Sequence, residues 1–417
     1  MSVEALRADE RRINTPATNG NRLWADIVST ARFGAADKGG VTRLTLTEED
    51  RQVRDWFVAE CRALGCTVEV DGIGNIFTTY AGEDMSLPAI AVGSHLDTQP
   101  QGGRFDGILG VLAGLEVLRT LKESATRLRH PLMVVNWTNE EGSRFSPAMM
   151  GSGVFAGALA LDAAQALADR EGITVGTSLD AIGYRGEADV KPAAFAAYVE
   201  LHIEQGPLLE ASATEIGVVS GIQGLRWFDV VITGTEAHAG STPMAQRDDA
   251  LVAAAEIILA VRDIARQNPP GVGTVGFAEV GPNSRNVVPG SVRLQIDMRH
   301  PSDAGLDQMQ LALESAARKA GAGVALKHIW SKAPVVFDPA IVEAVRHSAD
   351  ALGYSATDIV SGAGHDAAHI ATITPTAMIF VPSKDGLSHN EAEYTAPEEC
   401  ARGAEVLFQT ILEIDRR

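Results

Sequence analysis

Cysteine is scarce in this chain. Cys61, Cys66 and Cys400 are its three copies; they form no CxxC pair, which argues against a disulfide framework and for a reducing compartment. Positive charge is in deficit: 35 Lys and Arg stand against 54 Asp and Glu, a net −19. That balance excludes nucleic acid and anionic membrane as partners. It does not define a substrate, because a local basic pocket can sit in an acidic protein. No apolar run approaches the roughly 20 residues that span a bilayer. The charged first residues lack the apolar core of a signal peptide, so a cytoplasmic location is expected. Internal repeats and low-complexity tracts are absent. So is HExxH, which excludes a zinc protease built on one helix.

What is present is concentrated at the ends of apolar runs. Residues 89–92 are apolar and short, as in a buried strand, and they lead to His95 and Asp97. A glycine-broken loop then ends in Asp106, and an amphipathic helix is expected from about Ile108 to Leu121. Open α/β sheets carry their chemistry at the carboxyl ends of strands. Residues 131–137 form a second buried strand that runs into Glu140 and Glu141, and 197–203 a third that delivers His202, Glu204 and Gln205. A fourth apolar run, 376–381, precedes His389. Helices are further expected over 21–30, 47–64, 339–352 and 397–414, and paired strands over 67–71 and 75–80. A helix-rich stretch over 154–169 is expected to cap the site.

One isolated loop histidine is more often structural than a ligand. Here His95, Asp106, Glu141, His202 and His389 all follow buried strands, and joint coincidence is a poor explanation. Histidine and carboxylate without cysteine suit zinc, manganese, cobalt or nickel. Three imidazoles and two carboxylates suffice for two cations that share Asp106. Asp97 is expected to hold the ring of His95 as an outer acceptor. Side chains of neighbouring residues in an extended segment point apart, so one of Glu140 and Glu141 can bind metal while the other acts as general base. An apolar setting would raise the pKa of that base into its working range.

From about residue 217 the texture changes. Strands over 227–233, 273–280 and 291–298, with helices over 248–267 and 302–320, describe a small α+β insert. At 417 residues the chain has room for two such domains.

The segments GSHLDTQPQGGRFDGILGVLAGLEVL, NEEGSRF, LHIEQGP, EAHAGSTPM, SRNVVPG, DMRH, SGAGHDAAHIA and LSHNEAEYT occur in that order from about residue 93 onward. Together they resemble the hydantoinase/carbamoylase branch of the M20 metallopeptidase-like amidohydrolases, a resemblance that extends from about residue 20 to the end. It implies a doubly wound mixed α/β catalytic domain over 1–217 and 332–417, with an inserted lid and dimerisation domain over 218–331. It also implies a homodimer and a small ureido or carboxylate substrate. His95, Asp106 and His202 would hold one divalent ion, and Asp106, Glu141 and His389 the other. Glu140 would be the general base and His238 the oxyanion donor. Gln205, Asn286, Arg299, the backbone at Gly364, and His365 would bind or line the substrate. An Arg fork suits a carboxylate better than a Lys does. The implied reaction is hydrolysis of N-carbamoyl amino acids, with allantoate hydrolysis or peptide and N-acyl cleavage as the alternatives within the family. His130, His300, His328 and His347 are read as structural.

Overall fold

The structure is a computed structural model that describes residues 16–321 and 323–417. The chain forms two compact units, one from the residues up to Ser220 together with Val336–Arg417, the other Gly221–Val335.

The larger unit is built on one mixed sheet. Its strands are β1 (Thr67–Val70), β2 (Ile76–Tyr80), β3 (Ala89–His95), β4 (Leu132–Trp137), β5 (Phe195–Ile203) and β6 (Ile216–Ile222), with three more from later in the chain. The spatial order is β1-β2-β4-β3-β5-β15-β6-β13, where β13 is Val335–Val336 and β15 Thr376–Val381; β14 (Ala356–Ser361) pairs with β6. The four central strands β4, β3, β5 and β15 run parallel, and the pairs β1–β2, β2–β4 and β15–β6 are antiparallel. Central parallel strands are covered on both faces, so their sequences read as continuous apolar runs. β3, β4 and β15 are buried at every position. His95 pairs with Trp137 and Ile203 with Val381, so these strands end in step along one edge.

The helix Ile108–Glu123 follows β3 and packs back across β3, β4 and β5, the helix Pro397–Asp415 lies beside it on β5 and β15, and Gly20–Thr30 packs over both helices. Helix starts follow capping chemistry: Thr47 accepts from the amide of Asp50, and Asp338 caps a helix whose first residue is Pro339. Among the described residues no helix is long and apolar enough to cross a membrane.

The smaller unit is a four-stranded antiparallel sheet ordered β12-β7-β11-β9. Its strands are β7 (Gly224–Thr233), β9 (Val272–Gly281), β11 (Ser291–His300) and β12 (Val324–Lys332). Val292, Leu294, Ile296 and Met298 of β11 alternate inward and meet the helices Ala250–Gln267 and Asp303–Ala320, so one sheet face is covered. A two-stranded ribbon joins β8 (Ala237–His238) to β10 (Val287–Val288).

The expected helical stretch over 154–169 is two short helices, Met150–Phe155 and Leu161–Ala166. Gly157, at φ 76°, lies in the break between them. Gly217, where the texture changes, lies inside β6, packed against Phe380 and Ile359.

Candidate metal centre

The aligned ends of β3, β4, β5 and β15 supply the site. His95 is the last residue of β3 and His202 the penultimate residue of β5. Glu140 and Glu141 follow β4 after Asn139, which takes a left-handed φ of 57° and fixes the turn by donating from its side-chain Nδ2 to Phe145 O at 2.8 Å. Asp106 precedes Gly107, whose φ of 68° and ψ of −54° close a three-residue γ-turn. In it the amide of Ile108 donates to Asp106 O at 2.7 Å. His389, also at positive φ, lies on the loop after β15 and is half exposed.

These groups converge. Asp106 Oδ1 is 3.1 Å from His202 Nε2 and 3.5 Å from His95 Nε2. Its other oxygen, Oδ2, is 3.5 Å from His389 Nε2, which is itself 3.4 Å from Glu141 Oε2. His95, Asp106 and His202 form one group with ligand atoms within 4.8 Å of each other, and Asp106, Glu141 and His389 a second. Asp106 is common to both and presents a different oxygen to each. A third group, Glu200, His202 and His365, borrows His202 from the first. Its carboxylate already accepts from Ser94, Tyr198 and the amide of Ala367, so it is the less available.

The donor set fits divalent cations. His95 Nδ1 lies 2.9 Å from the main-chain oxygen of Asp97, and His202 Nδ1 2.9 Å from that of Ile203. Each ring therefore donates from Nδ1 and turns the Nε2 lone pair into the cluster, the arrangement of a metal-binding imidazole. The single Nε2 lone pair of His202 accepts the Gly107 amide at 3.2 Å, so of the two only that of His95 is uncommitted here. His95 Nε2 is buried with no hydrogen-bond partner and lies 3.5 Å from a Glu140 oxygen. A lone pair facing carboxylates in a buried site repels them unless a proton or a cation lies between.

The electrostatics agree. Burial opposes charge on His95, but Glu140, Asp106 and Asp97 outweigh it and hold the imidazole well above its usual value. Burial also opposes the Asp106 charge, yet the two histidines keep that carboxyl well below its usual range. Burial pushes Glu140 and Glu141 far up, and nearby carboxylates add to the effect. Several buried carboxylates around two imidazoles call for positive charge.

Glu140 and Glu141 take different positions. Glu141 joins the second group, whereas Glu140 belongs to neither and reaches toward His95. Their divergence depends on Asp97 in an unforeseen way. The Asp97 carboxylate accepts from the amides of Glu140 and Glu141, both at 3.3 Å, and lies 3.8 Å from His95 Nδ1. Its main-chain oxygen, not its side chain, is the close partner of the ring.

Gln205, at φ 59°, donates to Asp106 Oδ2 at 2.8 Å and leaves its own carbonyl oxygen buried without a partner. His365 packs edge-on against His202, with ring centroids 4.5 Å apart, and pairs with Ser361 Oγ at 3.0 Å. Gly364 lies against the tip of Met149. The other three predicted residues belong to the smaller unit. His238 Nδ1 accepts from the amides of Gly240 and Ser241, both at 3.1 Å, which puts the ring proton of the neutral form on Nε2 as an outward donor. Asn286 lies beside it, its carbonyl accepting from Ala239 N at 3.0 Å. Arg299 is bonded to Asp297 at 2.9–3.2 Å.

Sequence reasoning missed Gln99 and Glu393. Gln99 clamps Glu141 with its amide at 3.1 Å and its side chain at 2.7 Å. Glu393 lies under the Asp106 loop, its carboxyl pushed up to about 7 by burial and by Asp106. Only their place inside quoted motifs hinted at a role.

Fold and site together have the form of a metallohydrolase: a mixed α/β sheet with histidine and carboxylate ligands at the ends of parallel strands. Residues 91–413 match the peptidase family M20/M25/M40. The chain belongs to that family, in the hydantoinase/carbamoylase branch its motifs resemble. It is 46% identical over 414 residues to an N-carbamoyl-L-amino-acid amidohydrolase of Rhizobium meliloti, covering 98% of each chain. An N-carbamoyl-L-amino acid amidohydrolase of Geobacillus stearothermophilus is 39% identical over 95% of this chain and 98% of its own. The crystal structure of a hydantoinase/carbamoylase-family amidase from Burkholderia multivorans superposes with a TM-score of 0.94 at 48% identity, covering 96% of this chain and 99% of that one.

Proposed function

We propose that this protein is a metal-dependent amidohydrolase that cleaves the carbamoyl group of N-carbamoyl amino acids, giving the amino acid, carbon dioxide and ammonia. The reading is carried by Asp106, whose two oxygens face two ligand groups while Glu140 is left over as a buried carboxylate in neither. His95, Asp106 and His202 would hold one ion and Asp106, Glu141 and His389 a second, drawn from zinc, manganese, cobalt and nickel. When bound, such a pair polarises the ureido carbonyl and acidifies a water molecule.

The chain's own groups supply the rest. Glu140 takes the proton of the attacking water on a carboxylate oxygen and returns it to the leaving nitrogen. A raised pKa suits both transfers, and burial supports one. His238 donates from Nε2 to the tetrahedral oxyanion, a role supported by the two amides that hold its Nδ1. Arg299 and Asn286 take the substrate carboxylate, and Gln205, Gly364 and His365 shape the pocket around the ureido group. The same proposal includes a cytoplasmic homodimer that associates through the inserted unit. Exposed Leu251, Val252 and Leu259 on its helix and Phe277 on its edge strand β9 support that surface.

The test is ammonia release from N-carbamoyl-L-methionine, N-carbamoyl-β-alanine and allantoate, before and after chelation and after return of a divalent ion. Release from an N-carbamoyl amino acid, lost on chelation and restored by metal, is expected. Release from allantoate alone reassigns the substrate within the family; release from none with metal present overturns the proposal.

A further inference from the structure

We infer that Glu393 is a positioning residue that fixes Asp106 between the two ligand groups. The inference rests on the metal reading above and concerns what makes one carboxylate able to serve both groups.

A bridging carboxylate must keep one oxygen toward each group, so its backbone and its side-chain torsions both have to be held. The carbonyl of Asp106 is held from one side by the γ-turn to Ile108. Its N–H is held from the other by Glu393, whose Oε1 accepts from Asp106 N at 3.1 Å and from Phe105 N at 3.2 Å. These contacts join segments more than 280 residues apart in sequence. The side-chain end is tied as well. Gln205 Nε2 donates to Asp106 Oδ2 at 2.8 Å and to Ser388 Oγ at 3.1 Å. The Ser388 hydroxyl lies 3.1 Å from Asp106 Oδ2 and 3.0 Å from Glu393 Oε2. Since Gln205 already serves Asp106 Oδ2, the single Ser388 proton is available to Glu393. Glu393 thus meets three donors, which offsets the cost of a carboxylate only 4% exposed.

Two features show that the fold makes room for this clasp. A Cβ on Gly103 would come within 2.1 Å of Glu393 Oε1 and 2.3 Å of its Cδ, so only glycine lets the carboxylate pass under the loop. The amide of Glu393 also donates to Asn390 O at 3.0 Å, next to His389. One clasp therefore ties the segment that carries a ligand of the second group to the loop that carries the shared ligand.

Reach, not charge, is what the clasp requires. Glu393→Gln keeps an acceptor for the two amides and offers Ser388 an N–H in exchange for an acceptor. Glu393→Asp keeps the charge and withdraws it by one methylene. Wild type, Glu393→Gln, Glu393→Asp and Glu393→Ala are freed of metal and titrated with cobalt(II), following calorimetry and the visible cobalt spectrum. Glu393→Gln is expected within about threefold of wild-type affinity and with the wild-type spectrum. Glu393→Asp and Glu393→Ala are expected to bind at least one equivalent about 10- to 100-fold more weakly, the size of effect typical for groups that orient metal ligands, with an altered spectrum. Should Glu393→Ala fail to fold, the order of the other two decides. Glu393→Asp at wild-type affinity with Glu393→Gln weakened makes the requirement one of charge and overturns the inference, as do variants that all equal wild type. Wild type that binds no cobalt overturns the metal reading itself.

Discussion

Replacing Gly107 by alanine adds one methyl group, and the structure defines where it goes. The new Cβ would lie 2.3 Å from Cε1 and Nε2 of His95 and 2.4 Å from Nδ1, inside the ring's van der Waals surface. The ring has little room to retreat. It is 1% exposed, held at Nδ1 by Asp97 O at 2.9 Å, and faces His202 with centroids 5.9 Å apart. The backbone resists too, because φ 68° with ψ −54° is ground that L-residues avoid. A left-handed φ costs about 1–2 kcal/mol for a residue with a Cβ. An extra methyl forced into a packed core costs roughly 1–3 kcal/mol. The sum, about 2–5 kcal/mol, should appear in denaturant unfolding of the metal-free protein. Relaxation must move His95, so affinity for at least one metal equivalent should fall by about tenfold or more in a calorimetric titration. A Gly107→Ala protein with wild-type metal affinity, destabilised by less than about 0.5 kcal/mol, would refute the placement of His95 beside this turn.

Glu140→Gln should retain its metal by elemental analysis while turnover falls roughly 10²- to 10⁴-fold; loss of metal along with activity would make Glu140 a ligand. Arg299→Ala should raise KM for carboxylate-bearing substrates far more than it lowers kcat, and an unchanged KM removes it from substrate binding. The pH dependence follows from His95 and His202, both raised above their usual value by the surrounding carboxylates despite burial. In the metal-free protein their charged forms contribute stability below the unfolded value of about 6.5, and that contribution is lost as pH rises through the higher folded values. Metal binding needs neutral imidazoles, so it should release protons near neutrality and weaken as pH falls. Binding enthalpies that do not vary with the ionisation heat of the buffer would contradict this.

The sheet was legible where burial on both faces forces an apolar run, as in β3, β4, β5 and β15, and so were the residues at their ends. Other strands were not. Ile216–Ile222 is interrupted by Gly217 and Gly221 and read as a change of texture, not as a strand. Val324–Lys332 is largely exposed and Ala356–Ser361 mixes exposed, half-buried and buried positions, so neither has a two-faced apolar signal. His95, Asp106, Glu141, His202 and His389 stood out because imidazole and carboxylate at strand ends have few structural uses. Glu393 and the true work of Asp97 stayed hidden for one reason. Their partners are main-chain amides, which carry no residue identity, and those of Glu393 lie far away in sequence. The tautomers of His95, His202 and His238 likewise depend on carbonyls and amides that only the fold brings near.

Whether Asp106 bridges two cations while Glu140 stays free is read from a crystal structure of the metal-loaded protein with anomalous scattering from the ions. Two peaks about 3.5–4 Å apart are predicted, each bonded to a different oxygen of Asp106, with no bond to Glu140. A single peak, or one bonded to Glu140, would contradict this arrangement.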